Sequence, residues 1–408
     1  MKSLLLLSSA LCALSSIASA DPVSHSSITP PVNEAVGKLI VEKKLAGAVT
    51  LVAQGGKVIH LQAHGTQTVE SDDPIKVDSI FRIHSMTKAI VSAAALKLHE
   101  EKKFALTDPV SKFIPAFAKT PVYAGDGKTV PVKNAMTVED LFRHTSGLVY
   151  GWGAPGELKE LYSDPKLKEG SLEDFCNGLA EIPLVFQPGE KWVYGYSTDV
   201  LGRVVEVCSG MPLDEYLQKE FFDPLGMKDT GFWIESKQDK ERFLATNQTT
   251  KEGVKEGKDT IGLKYHERPE LISGGGGLVS TAQDYYKFLQ MIADNGKAAG
   301  DKAILKPESV AMMTSNRLPK DIPNISFGEQ NRTAIGFGLG FSVVTGHSKG
   351  WDEDAREGEF GWGGAASCHY WVSPKDDRLI VITLEQTFPY NWNMERAVKP
   401  IVYGALKK

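Results

Sequence analysis

The stretch Phe81–Glu101 reads FRIHSMTKAIVSAAALKLHEE. It sets Ser85 three residues before Lys88 at the head of a run that is apolar on nearly every face. The run predicts a helix from about Met86 to Glu101, buried in the body of the protein. Serine is a weak nucleophile until a base takes its proton. On a helix, a lysine three residues on lies on the same face, one turn away. Burial favours its neutral amine, and a helix N-terminus favours a developing oxyanion. The bland reading of the same letters is a helix cap followed by a lysine that snorkels to solvent.

The S-x-x-K pattern is weak alone, and the chain holds a second copy, Ser163-Asp164-Pro165-Lys166. That copy lies in a charged loop with a proline inside and reads as chance. The Ser85 copy is different, because a lysine inside an apolar helix needs a reason to be there.

Working outward, Asn33–Lys44 has helical spacing, and Ala46–Gly65 is two β-branched runs joined by Gly55-Gly56, a hairpin. Thr137–Phe142 predicts a short helix, and residues 150–190 an irregular insertion. Thr198–Gly210 predicts a helix stopped by Gly210. Gly274–Gly277 is a glycine loop before a helix capped by Ser280 or Thr281. Two strands flank a turn at Pro374–Asp377, and a helix covers about Met394–Leu406. Strands near both ends with helical and irregular material between predict an α+β fold. One antiparallel sheet is built from both chain ends and flanked by helices. A mainly helical subdomain, roughly 103–270, is inserted, and the cleft falls between the two parts.

The 408 residues carry 42% hydrophobic and 24% charged side chains with a net charge of −5. This is globular composition without a basic footprint for nucleic acid or a polybasic membrane patch. Residues 1–20 read as a signal peptide: Lys2, an apolar core Leu4–Leu14, and Ala18-Ser19-Ala20 before Asp21. Cleavage after Ala20 predicts a secreted or periplasmic chain, 21–408, with no stable membrane anchor. Its three remaining cysteines, Cys176, Cys208 and Cys368, form no disulfide framework. His60, His64, His347 and His369 lack metal-ligand spacing, and the tetraglycine is not followed by the Lys-Ser/Thr of a phosphate loop. Neither metal nor cofactor is expected.

Four motifs in order, SMTK at Ser85–Lys88, LFRHTSGL at Leu141–Leu148, GGGGLVST at Gly274–Thr281 and GWGGAAS at Gly361–Ser367, carry a resemblance. From about Asn33 to the C-terminus the chain resembles the serine β-lactamase-related superfamily, and within it the family VIII carboxylesterases and class C β-lactamase-like hydrolases. The resemblance implies an acyl-enzyme on Ser85, with Lys88 and a tyrosine handling its proton. KWVYGYSTDVLG (Lys191–Gly202) offers two tyrosines. Tyr194, two after Trp192 and five before Asp199, fits the family spacing. Tyr196 stands where an amide-binding asparagine would be. The N–H groups of Ser85 and Ala365 would form the oxyanion hole. The strand triad reads Trp362-Gly363-Gly364, so an aromatic replaces the cation that would grip a β-lactam or peptide carboxylate. Tyr150, Trp152 and Trp192 are further candidates for an acyl pocket, and His144 is expected to be structural, hydrogen-bonded in a turn.

The expectation is therefore a small-molecule ester substrate, uncharged, cleaved by a serine hydrolase. A β-lactamase, a D-amino-acid-specific peptidase or an acyltransferase would use the same site. A cell-wall or acyl-ligand binding protein with an inactive site is the non-enzyme alternative, and an intact Ser85, Lys88 and Tyr194 set argues against it.

Overall fold

A computed structural model describes residues 25–259 and 261–406. The predicted signal peptide lies outside the described residues. Seven strands form the main sheet: β1 (Gly47–Gln54), β2 (Lys57–Gly65), β3 (Ile335–Phe337), β4 (Ser342–Val344), β5 (Phe360–Gly364), β6 (Cys368–Ser373) and β7 (Leu379–Leu384). Their order is β3-β4-β5-β6-β7-β1-β2 and every pairing is antiparallel. The first hairpin therefore docks against β7 from the far end of the chain, in the register Leu51 to Ile382. The hairpin turns at Gly55 and Gly56, whose φ of 59° and 77° suit the two central positions of a tight primed turn.

Both faces of this sheet are covered, so its alternating side chains feed two cores. Val49, Leu51, Ile380 and Ile382 point into the larger one, with the buried face of α2 (Thr87–Glu100). Ala48, Val52, Leu379 and Val381 face the other side. There they meet α1 (His25–Val41) and the C-terminal helix, Asn393–Ala405. The first helix begins earlier than its apolar spacing predicts and runs through Pro30 and Pro31.

Between β2 and β3 the chain is mostly helix and loop. Val138–Phe142 (α3) is capped by Thr137 and Asp140, each side chain bonding the other's backbone N–H. Ser197–Ser209 (α4) ends on Gly210 at φ 73°, and Ala282–Ala293 (α5) starts from the Thr281 cap. Residues 150–190 are more ordered than their composition suggests, with helices at Leu158–Ser163 and Leu172–Ala180. Among the described residues no helix is long and apolar enough to cross a membrane, and all three cysteines there are free thiols.

Candidate active site

Ser85 does not sit inside α2. It occupies a single 3-10 turn, His84–Met86, that leads into the helix. His84 before it holds φ at +41°, a left-handed conformation that is uncommon for a residue with a side chain. Its ring is buried against Phe388 without a hydrogen-bond partner, and burial pushes its pKa down to about 4. A neutral, apolar-packed imidazole thus props up the turn that presents Ser85.

Lys88 is buried, as its apolar setting predicts. Its Nζ donates to the Gly275 carbonyl at 2.6 Å, to the Tyr150 hydroxyl at 3.0 Å and to Ser85 Oγ at 3.4 Å. Three acceptors match the three donors of an ammonium. The glycine loop is what brings the first of them. A Cβ on Gly275 would stand 2.2 Å from Asp199 Oδ2, and Asp199 Oδ1 accepts from the Gly275 N–H at 2.9 Å and from Ser273 Oγ at 2.6 Å. Asp199, on α4, therefore fixes the loop that fixes the lysine. Neither Asp199 nor Gly275 was expected in the site. The signal was present in four successive glycines, which mark a close approach of backbone.

The tyrosines divide differently from expectation. The hydrogen bond of Lys88 goes to Tyr150, not to Tyr194. Tyr194 instead lays its ring beside the ammonium, with 4.6 Å from Nζ to the ring centre. Its hydroxyl accepts from Trp362 Nε1 at 3.0 Å. The reason is the Gly147–Gly151 segment after α3, which carries Tyr150 to the lysine. A Cβ on Gly195 would lie 2.3 Å from Val149 Cα, so the segments bearing the two tyrosines are in direct backbone contact. Burial raises the Tyr150 pKa well above the ordinary phenol value, with Tyr194 and Asp199 adding to it, so the hydroxyl keeps its proton at neutral pH. Tyr196 stacks edge-on to Tyr150 at 4.5 Å, but its hydroxyl donates to the Tyr162 carbonyl at 3.3 Å. That polar tip is spent on the fold.

His144 is structural, though not through hydrogen bonds. Both ring nitrogens are buried without a partner. The ring packs among Tyr194, Phe337 and Trp192 at 4.7, 5.5 and 6.1 Å. Burial and the nearby Lys88 charge hold its pKa well below the usual value.

Strand β5 forms the opposite wall. A Cβ on Gly364 would meet the Ile83 carbonyl oxygen at 2.4 Å, and one on Gly363 would meet the Tyr390 hydroxyl at 2.8 Å. A glycine at 364 lets this strand lie against the Ile83 carbonyl, just before the turn that bears Ser85, and Ala365 is the first residue beyond the strand. Trp362 packs against Tyr194, Phe337 and Phe327 with ring centres 5.2, 5.2 and 6.1 Å away. Trp152 is 59% exposed at the mouth, over Tyr150 and Phe327. Among the described residues no group of three or more His, Cys, Asp or Glu side chains is placed to hold a metal ion.

Known proteins share this chain's sequence family and fold. Residues 32–399 match the Beta-lactamase family model. A Mycobacterium tuberculosis protein, Rv1367c, is 36% identical over 352 residues, covering 85% of this chain and 86% of its own. Esterase EstB of Burkholderia gladioli is 28% identical over 394 residues, covering 91% and 94%. Among solved structures, EstCE1, described as a hydrolase with promiscuous acyltransferase activity, superposes with a TM-score of 0.80 at 26% identity, covering 93% of this chain and 99% of that one. The chain belongs to the beta-lactamase family and is a serine hydrolase or acyl-transferring enzyme of that fold.

Proposed function

We propose that the protein cleaves small carboxylic esters through an acyl-enzyme on Ser85. The observation that carries the reading is the Ser85–Lys88–Tyr150 hydrogen-bonded set, with Tyr194 over the lysine and Gly364 against the Ile83 carbonyl just before Ser85. Ser85 Oγ attacks the ester carbonyl and passes its proton to the Lys88/Tyr194 pair, Tyr194 acting as base. Tyr150 anchors the lysine. The N–H groups of Ser85 and Ala365 hold the oxyanion. The proton returns to the departing alkoxide, water attacks the acyl-enzyme, and acid and free Ser85 result. An alcohol in place of water gives acyl transfer, a second reading favoured by the description of EstCE1. Secretion is part of the proposal and rests on the Lys2–Ala20 sequence alone.

An acyl group without charge is proposed because Trp362 occupies the position of the usual cation and Tyr196 that of an amide-binding asparagine. Esters also need less leaving-group help than amides. On one preparation, kcat/KM for p-nitrophenyl butyrate is expected to exceed that for nitrocefin and for a D-alanyl-D-alanine peptide by about tenfold or more. A tenfold advantage for nitrocefin or the peptide would hand the site to a β-lactamase or peptidase.

The oxyanion assignment has its own test. In Gly364→Ala the new methyl would stand 2.4 Å from a backbone oxygen that cannot swing away. The strand must retreat, taking the Ala365 N–H with it. A fall in kcat of about a hundredfold is expected, with KM little changed. Unchanged kcat would remove Ala365 from the mechanism.

A further inference from the structure

Arg332 is out of place for an ordinary structural arginine. It is only 8% exposed. Its guanidinium carbon lies 4.2 Å from the ring centre of Phe327, 4.6 Å from Trp351, 5.0 Å from Trp392 and 5.9 Å from Trp362. Aromatic faces stabilise a cation that lies over them. They leave the edge of the guanidinium, where its five N–H groups point, unsatisfied. Among the described residues this guanidinium has neither a hydrogen-bond nor an ion-pair partner, and its Nε is fully buried without one. By contrast Arg82, Arg143, Arg242 and Arg317 each reach a carboxylate. The carboxylate whose charge Arg332 feels is that of Glu395, and Glu395 is already held by Lys399 at 3.0 Å and by His369 at 3.1 Å.

This cation lies behind one wall of the site. Trp362, one of its ring neighbours, donates its indole N–H to the Tyr194 hydroxyl, and Tyr194 lies beside Lys88. Arg332 is thus two aromatic rings away from the lysine that contacts Ser85. A buried cation with its donors unpaired is costly, and an incoming anion removes the cost. The donors form a planar fork that fits the two oxygens of a carboxylate. The rings around it offer the apolar walls that the hydrocarbon chain joining such a carboxylate to the ester would need.

We propose that Arg332 is a carboxylate subsite, and that the preferred substrates are esters carrying a free carboxylate several bonds from the reacting carbonyl. The charge missing at Trp362 is supplied from behind it. This rests on the esterase reading of Ser85 and revises its substrate class, from esters uncharged throughout to half-esters of dicarboxylic acids and similar molecules, whose charge lies well away from the reacting carbonyl.

The test uses mono-p-nitrophenyl esters of glutaric, adipic and suberic acid, each against its own methyl ester, so that only the charge differs. The native enzyme is expected to favour at least one free acid by about tenfold or more in kcat/KM. In Arg332→Met that preference should vanish while turnover of the methyl esters stays within about threefold; Arg332→Lys should retain part of it. No preference for any free acid in the native enzyme overturns the proposal, whether or not the variants fold. A parallel loss on acid and methyl ester in Arg332→Met overturns it too, since that is what a merely structural cage would give. A separate readout guards against failure of the esterase reading. Unreactive adipic acid monoamide should quench native tryptophan fluorescence saturably while adipamide does not. Absence of that binding sinks the carboxylate subsite even if esters are cleaved. Its presence with no ester turnover supports the subsite and sinks the esterase reading instead.

Discussion

Ser85→Ala is expected to lower ester cleavage by about ten-thousandfold or more and to leave the fold intact. The two halves have separate causes. The acyl-enzyme needs the Oγ, and no neighbouring hydroxyl can replace it. Tyr150 and Tyr194 are engaged with Lys88 and Trp362. Structurally the Oγ does little. Its contact with Lys88 is long, 3.4 Å, and the lysine keeps the Tyr150 and Gly275 acceptors when it is gone. The melting temperature should therefore stay within a few degrees, equivalent to about 1 kcal/mol or less. A fluorophosphonate probe should label the native peptide containing Ser85 and leave the variant unlabelled. Retained activity, or an adduct on Ser163, would overturn the assignment. Ser163 is a poor competitor: its side chain is packed so close to Gly151 that a Cβ there would stand 1.8 Å from its Oγ. Its Lys166 lies beyond Pro165 in a separate short turn.

Part of this site was legible in the sequence because local pattern and chemistry coincide there. An apolar helix with a lysine on its first turn can be read without coordinates, and so can a hairpin with two glycines. The sheet built from both chain ends followed from where the β-branched runs lie. Other features depend on packing between distant segments, which spacing does not report. The Lys88 bond to Tyr150 spans 62 residues and the one to Gly275 spans 187. Both are decided by how α3, α4 and the glycine loop meet. His144 shows the same limit from the other side. Its place in a turn was readable, but its enclosure by three aromatic rings comes from residues 48 to 193 positions away in the chain (Trp192, Tyr194 and Phe337). Arg332 had no sequence signal at all, since its four ring neighbours converge from a short hairpin (Phe327), from two separate loops (Trp351 and Trp392) and from β5 (Trp362).

Lys88 and its tyrosines are expected to act as one unit, and the division of labour between the tyrosines is open to direct measurement. Lys88→Ala and Tyr194→Phe should each lower kcat by about a hundredfold or more with little change in KM. If both serve one proton transfer, the double change costs far less than the product of the single losses. Fully multiplicative losses would mean that they act independently. Tyr150→Phe separates base from anchor. It removes the acceptor 3.0 Å from Lys88 Nζ but leaves the ring that packs against Tyr194 and Tyr196. As an anchor, Tyr150 should cost about tenfold in kcat, and the lysine should keep the Gly275 carbonyl. Were Tyr150 the base, its loss would match or exceed that of Tyr194→Phe, and Tyr194 would be left as a wall of the cleft. Tyr196→Phe should be nearly silent in kcat, because its hydroxyl is bonded to the Tyr162 carbonyl and faces away from the lysine. Lys88→Ala carries an added cost in stability, since it strips a buried donor from the Tyr150 hydroxyl and the Gly275 carbonyl together, about 1–3 kcal/mol for each group left unpaired. Its kcat is therefore to be read only on protein whose circular dichroism and melting curve show a cooperative fold. A Lys88→Ala enzyme that is folded and still turns over p-nitrophenyl butyrate at the native rate would remove the lysine from the proton path.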